Sequence, residues 1–190
     1  QLIETLDTIA AEADSPPMVL VTHHVEEIPA KEVDSMKVSS TKVRHALEQG
    51  DVATANELLG YSYPLSGVVV KGDQLGRTIG YPTANIGGLD TFKLVPGNGV
   101  YAVQVELRNG NHGGMMNIGV RPTVAEGLDR TVEVNIFGFQ RDIYGEPITV
   151  RLLDRLRDEV KFNGMEAMKQ RIAQDQVEAL AVLRNYGHHA

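Results

Sequence analysis

Hydrophobic and polar positions divide this chain into two kinds of pattern. Leu2, Ile3, Leu6, Ile9 and Ala10 recur at helical spacing, and after Ser15-Pro16-Pro17 the run Met18 to Thr22 has the length of a buried strand. Residues 39 to 60 predict two short helices. The first opens on Ser39, Ser40 and Thr41 and stops at Gly50; the second opens on Asp51 as N-cap and stops at Gly60. From Tyr61 the period changes to two. Val68 to Val70, Thr83 to Asn85, Val100 to Leu107, Gly114 to Gly119, Asp129 to Phe139 and Pro147 to Leu153 read as strands, with a hairpin turn at Asn109-Gly110-Asn111. Six consecutive strands predict a closed antiparallel barrel, which leaves no exposed edge. A last helix is expected after Asn163, with Asn163 as cap, Glu166 completing a capping box, and Met165, Met168, Ile172 and Leu180 forming a core-facing stripe. The fold expected is mainly β: a six-stranded barrel (residues 61–190 with the C-terminal helix) preceded by a short α/β fragment (residues 1–60).

Composition narrows the function. At 190 residues and 42% apolar content, the chain can bury one good core and a small appendage. A net charge of −7 with interspersed signs leaves no dense basic face for nucleic acid or an anionic membrane. With no cysteine, disulfides and thiolate metal sites are excluded. No apolar run reaches the length of a signal peptide or a membrane span, so a cytoplasmic protein is expected.

The densest chemistry lies in residues 65 to 85. Gly72, Gly76 and Gly80 allow close approach of backbone to an anion, and Lys71 and Arg77 supply charge, which outlines a phosphate cradle. A Walker A reading fails: the glycine spacing is one residue short, Arg77 stands in place of lysine, and Gly80 and Pro82 exclude the helix that should follow. Pro82 keeps the next residues extended, so Thr83 and Asn85 point the same way. Their two neutral oxygens suit part of a Mg²⁺ shell completed by water and nucleotide phosphates. On the strand around Val132, Val134 and Ile136, the intervening Glu133 and Asn135 share the opposite face. A carboxylate there can act as the base that phosphoryl transfer to an alcohol requires; an outward glutamate on a strand is otherwise simply solvated.

Pro82-Thr-Ala-Asn85 after its glycine loop resembles the riboflavin kinase family. So do, in the family's order, Pro96-Gly-Asn-Gly-Val-Tyr101, Asn117-Ile-Gly-Val-Arg-Pro-Thr123, Val132-Glu-Val-Asn-Ile-Phe137, Asp142-Ile-Tyr-Gly145 and Leu156-Arg-Asp-Glu-Val-Lys-Phe162. The resemblance covers residues 61 to 184 and implies a Greek-key barrel that transfers phosphate from ATP to riboflavin, giving FMN and ADP with Mg²⁺. It implies that Lys71, Gly72 and Arg77 belong to a flap over the ATP phosphates, that Thr83 and Asn85 bind the metal, and that Glu133 is the catalytic base. Arg157 and Phe162 would line the flavin pocket. Asn117 and Tyr144 are nominated for the nucleotide side, with a hairpin-end Asn and a core Tyr as the structural alternatives. Where many members carry histidine, this chain has Asn135.

Ser39-Ser-Thr-x-x-Arg44 resembles the end of the FMN adenylyltransferase domain that precedes the kinase in bifunctional bacterial FAD synthetases. Ser39, Ser40, Thr41 and Arg44 match an element that helps hold nucleotide phosphates, but the His-x-Gly-His phosphate motif is absent, so adenylyl transfer is not expected. Leu20 to Ile28, with His23 and His24, looks like the switch-histidine segment of ABC-type ATPases, though no Walker or signature sequence precedes it; a helix and strand with two exposed histidines is the alternative. Two other functions remain: a non-catalytic flavin-binding barrel, which needs no Thr83, Asn85 and Glu133 together, and a nucleotide-sensing remnant of a larger ATPase.

Overall fold

The computed structural model describes residues 32–33, 36–37, 39–72, 75–122 and 128–187, within one compact unit that runs from Lys31 to Ala190. The helix expected at 2–13, the strand at 18–22 and His23 and His24 lie outside the described residues. A two-residue pair, β1 (Glu32–Val33) and β2 (Met36–Lys37), is followed by helices α1 (Ser40–Gln49) and α2 (Val52–Leu59). The caps fall where the sequence puts them. Ser39 Oγ accepts from the Lys42 amide at 3.3 Å, an Asp51 carboxylate oxygen accepts from the Thr54 amide at 3.1 Å, and Gly50 and Gly60 close the helices in the left-handed conformation. Helix α2 is tied to the barrel through Asn56, a buried side chain that donates to the Leu152 carbonyl at 2.9 Å and accepts from the Tyr63 amide at 2.8 Å.

The barrel comprises β3 (Pro64–Val70), β4 (Ala84–Gly87), β5 (Gly99–Leu107), β6 (Gly110–Pro122), β7 (Leu128–Ile136) and β8 (Pro147–Arg157). It closes in the order β3-β4-β7-β6-β5-β8, with every neighbouring pair antiparallel. Strands β5, β6 and β7 form a meander and β8 returns beside β5, which is the Greek-key path. One face of each strand fills the interior with residues such as Leu65, Tyr101, Val103, Met116, Val134 and Leu152. Strand β5 departs from simple alternation, since nearly every residue in it is buried. Its inward side meets that core, while Ala102 on the outward side lies with Met115, Phe137 and Leu153 under helix α4 (Met165–Asn185), which contributes Ala179 and Leu183.

Four local expectations change. The hairpin turn between β5 and β6 is the tighter pair Arg108-Asn109, with Gly110 at φ 129° already paired to Leu107. A single helical turn, α3 (Leu75–Thr78), occupies the glycine loop and ends before Gly80, which adopts φ 87°. Asn163 does not cap the last helix: the chain turns through Gly164 at φ 128°, so Gly164 occupies the cap position, and no side-chain cap bond forms. The predicted apolar stripe also divides. Ala179 and Leu183 are fully buried, Met165 is 49% exposed, and Met168 and Ile172 face a cavity between helix and barrel instead of a closed core. Strand β8 also runs four residues past the expected Leu153 to Arg157, and its pairing with β5 carries two register shifts between Val100 and Val103 beside that cavity.

Candidate active site

Strand register brings four of the sequence-predicted residues, Asn85, Glu133, Asn117 and Arg157, into one row. Asn85 on β4 pairs with Glu133 on β7, Glu133 with Asn117 on β6, Asn117 with Val100 on β5, and Val100 with Arg157 on β8. Directly paired residues project from the same face of a sheet, so groups up to 72 positions apart in sequence form a continuous band around the barrel. Glu133, Asn117, Val100 and Arg157 from this band line a cavity of about 500 Å³, closed on its other side by Met168 and Ile172 of α4 and by Ile79, Tyr81 and Phe162. Asn117, nominated for the nucleotide side, thus stands beside Glu133 in the larger cavity.

A second, narrower cleft of about 180 Å³ lies on the other side of the β4 entry, lined by Arg77, Arg141, Tyr144, Phe139 and Val69 among others. Thr83 lines both spaces. Its hydroxyl donates to Glu133 Oε2 at 3.1 Å, a direct link between the proposed metal ligand and the proposed base. Asn85 is half-buried behind the glycine loop. Gly72 leaves room for that side chain, since a Cβ on residue 72 would overlap the Asn85 amide and push it aside. Lys71 is exposed, with its ammonium 5.9 Å from the Tyr144 ring centre, so the loop's basic residues and Tyr144 gather at the narrow cleft.

Arg157 is held more firmly than its sequence context suggests. Its Nε and Nη2 donate to the Asp175 carboxylate at 2.8 and 2.7 Å, Nη1 donates to the Asp158 carbonyl at 2.9 Å, and the guanidinium lies 5.6 Å from the Phe162 ring centre. Asp175 is 1% exposed and also receives Arg171 Nε at 2.8 Å. A buried carboxylate is tolerated only when so paired. The sequence reading missed Asp175, and the signal was available: an acid at the position between Ile172 and Ala179 interrupts the apolar face of α4. It also assigned no bond to Asn135, whose Nδ2 donates to the Pro82 carbonyl at 2.7 Å.

Three oxygen-bearing side chains, Thr83, Asn85 and Glu133, cluster at one place on the wall, where β4 enters beside β7. Among the described residues no group of three His, Cys, Asp or Glu is placed to hold a metal. The set of a hydroxyl, an amide and a carboxylate fits a hard cation that keeps water and phosphate ligands, and so fits Mg²⁺.

The chain is similar to known proteins over most of its length. The family model for riboflavin kinase (flavokinase) matches residues 59–183. The bifunctional riboflavin kinase/FMN adenylyltransferase of Bacillus subtilis is 43% identical over 151 residues, covering 78% of this chain and 48% of that protein. The Escherichia coli K12 protein of the same description is 43% identical over 145 residues, covering 76% and 45%. A solved structure described as a macrolide-efflux protein from Streptococcus pneumoniae superposes with a TM-score of 0.74 at 40% identity, covering 80% of this chain and 49% of that one. The chain spans about half the length of the curated relatives it matches. Among the described residues no helix is long and apolar enough to cross a membrane. With a closed six-stranded barrel and a family model matched over most of its length, the chain belongs to the riboflavin kinase family.

Proposed function

We propose that this chain transfers the γ-phosphoryl group of ATP to the ribityl 5′-hydroxyl of riboflavin, giving FMN and ADP in the cytoplasm, where ATP is available. The observation that carries the reading is Thr83, which lines both the narrow basic cleft and the wide apolar cavity and donates its hydroxyl proton to Glu133 on the wall of the wide one. A phosphoryl donor in the first space and a flavin in the second would meet at that side chain.

The wide cavity suits a flavin ring, with Met115, Met168, Ile172 and Phe162 supplying apolar and aromatic surface. Arg157, its charge balanced by Asp175, offers a flat planar face there instead of an unpaired cation. In the narrow cleft, Arg77 and the nearby Lys71 would offset phosphate charge, and Tyr144 would flank the nucleotide. Thr83 and Asn85 would hold Mg²⁺ with the phosphates. When bound, Mg²⁺ would offset the negative charge of the nucleotide phosphates during transfer. Glu133 takes the 5′-hydroxyl proton as that oxygen forms its bond to γ-phosphorus, and the bond from γ-phosphorus to the β,γ-bridging oxygen breaks with ADP leaving. Positioning and charge neutralisation provide most of the acceleration in such transfers.

Adenylyl transfer is not expected of this chain. Of the residues matching the adenylyltransferase element, Ser39 serves as the α1 cap and Ser40, Thr41 and Arg44 are exposed. Residues 1–60 are then a non-catalytic appendage to the barrel domain. Incubation with riboflavin, ATP and Mg²⁺ followed by chromatographic separation of the flavins tests the reading: FMN is expected without FAD. Absence of FMN overturns the kinase assignment, and steady FAD formation overturns only the exclusion of adenylyl transfer.

A further inference from the structure

Beside Glu133 on the cavity wall stands a second polar side chain whose partner lies in the turn that presents Thr83. Asn135 follows Glu133 by two positions on β7, so both side chains leave the strand on the same face, and both line the wide cavity. Asn135 is only 7% exposed. An amide buried to this degree costs free energy unless hydrogen bonded, and here Nδ2 donates to the Pro82 carbonyl at 2.7 Å.

That bond falls at an informative place. The rungs between β4 and β7 are Asn85 opposite Glu133 and Ala84 opposite Val134. The next rung would set Thr83 opposite Asn135, but β4 begins at Ala84. Proline has no N–H to give a ladder, so the carbonyl is the group by which residue 82 can be held. The Asn135 side chain therefore extends the tie between these strands one step beyond the ladder and fixes the plane of the Pro82–Thr83 peptide.

Threonine is stiff at χ1 because Cβ is branched, so the direction of its hydroxyl follows the backbone that carries it. Fixing the Pro82–Thr83 peptide thus fixes where Thr83 Oγ1 points, and Oγ1 donates to Glu133 Oε2 at 3.1 Å. With its proton directed at the carboxylate, the hydroxyl presents its lone pairs elsewhere. We propose that Asn135 is a positioning residue: its amide holds the Pro82–Thr83 peptide so that Thr83 meets Glu133 with its proton and a Mg²⁺–nucleotide with its oxygen. This inference rests on the kinase reading above. Asn135 acts through Thr83 and needs no contact with metal or phosphate. Partners of this kind, one step removed from a metal, are typically worth about 10–100-fold in metal affinity.

The test compares Asn135→Leu, which keeps the shape and loses the donor, with Asn135→His, whose ring N–H can replace it. Four quantities are measured in each: the Mg²⁺ dependence of ADP binding by calorimetry, riboflavin binding by quenching of flavin fluorescence, thermal midpoint, and the Mg²⁺ half-saturation of FMN formation. Asn135→Leu is expected to shift both Mg²⁺ dependences upward by about 10–100-fold with a much smaller change in riboflavin affinity, although Asn135 lines that cavity, and Asn135→His is expected to recover most of the loss. Mg²⁺ titrations of Asn135→Leu that superimpose on the parent overturn the proposal. So does a parallel fall of riboflavin affinity, Mg²⁺–ADP affinity and thermal midpoint, since that is the pattern of a merely structural amide, and so does a loss shared equally by the histidine variant. If Asn135→Leu does not fold, Asn135→Ser, too short to reach the Pro82 carbonyl, is read in the same way. A parent chain that makes no FMN sinks the kinase reading, whereas an active parent with an unaltered Asn135→Leu titration sinks only the positioning role.

Discussion

The two spaces that meet at Thr83 are built differently. The wide one has mostly strand and helix for walls, β5, β6, β7 and β8 on one side and α4 on the other, with Ile79, Tyr81 and Phe162 from loops at its rim. Arg157 of β8 is bonded across the gap to Asp175 of α4, which Arg171 of the same helix also holds. Its volume of about 500 Å³ falls within the range of roughly 300–1,000 Å³ usual for small-molecule sites. The narrow one, at about 180 Å³, falls below that range, and most of its lining comes from the α3 loop and from residues 139–144 between β7 and β8. A shape set by packed strands and a helix is held by many contacts, whereas a shape set by loops is held by fewer. On the proposed assignment, riboflavin and nucleotide should respond differently to mutation, the first through packing and the second through charge and metal.

The largest effect is expected at the boundary itself. Glu133→Gln keeps size and hydrogen bonding but cannot accept a proton, so the single-turnover rate should fall by about 10²–10⁴-fold with riboflavin and nucleotide dissociation constants near the parent values. A mutant as fast as the parent would place the base elsewhere. It would also reopen the alternative of a flavin-binding barrel that does no chemistry.

Next in size is Thr83→Val, which preserves the β-branched shape and removes one oxygen. Its Mg²⁺ requirement should rise by about 10–100-fold, on the scale of other losses at metal sites, while riboflavin binding measured without nucleotide is unchanged. Superimposable magnesium titrations of mutant and parent would remove Thr83 from the metal site.

Ile172→Ala probes the opposite side of the comparison. Truncating a half-buried aliphatic chain on the cavity wall costs about 1–2 kcal/mol of apolar contact, which corresponds to roughly 5–30-fold in riboflavin affinity, and ADP binding should be unaffected. Equal losses for both ligands would show that the two spaces are not separately built.

The smallest effect belongs to the frame that both spaces share. Tyr101 lies inside the barrel and its hydroxyl donates to the Gly97 carbonyl. Burial pushes its pKa above the ordinary value of 10.0, with nearby Arg155 and Arg130 opposing. A raised pKa means that the folded state holds the proton more tightly than the unfolded state. Stability from this group is therefore fully present below pH 10.0 and is lost as pH rises through the higher folded value. Thermal midpoints should fall more steeply in this alkaline window for the parent than for Tyr101→Phe, and parallel slopes would contradict the assignment.

Much of the barrel was legible because it depends on local pattern. Alternation in Val132, Val134 and Ile136 was enough to put Glu133 and Asn135 on one face, and Ser39, Gly50, Asp51 and Gly60 punctuated two helices correctly because capping involves residues only a few positions apart. Asn163 misled because it is a good cap by type, but the chain conformation at Gly164 decides where the helix begins. The stripe through Met168 and Ile172 misled for another reason. Periodicity reports which residues avoid water, and a ligand cavity and a closed core look identical to that measure.

By itself the sequence determined the order of strands, their inward and outward faces, the extended Pro82-Thr83-Ala84-Asn85 segment and the residue types able to bind phosphate, metal and proton. All of these follow from steric and hydrophobic preferences that act over a few residues. Tertiary structure decided the rest: that Asn85, Glu133, Asn117 and Arg157 stand in one row, that Asp175 locks Arg157, that Asn135 reaches Pro82, and that Thr83 separates two cavities of unequal size. Those facts depend on barrel register and on how α4 is docked. Register is fixed only when all six strands close on one another, because each rung is set by its neighbours on both sides.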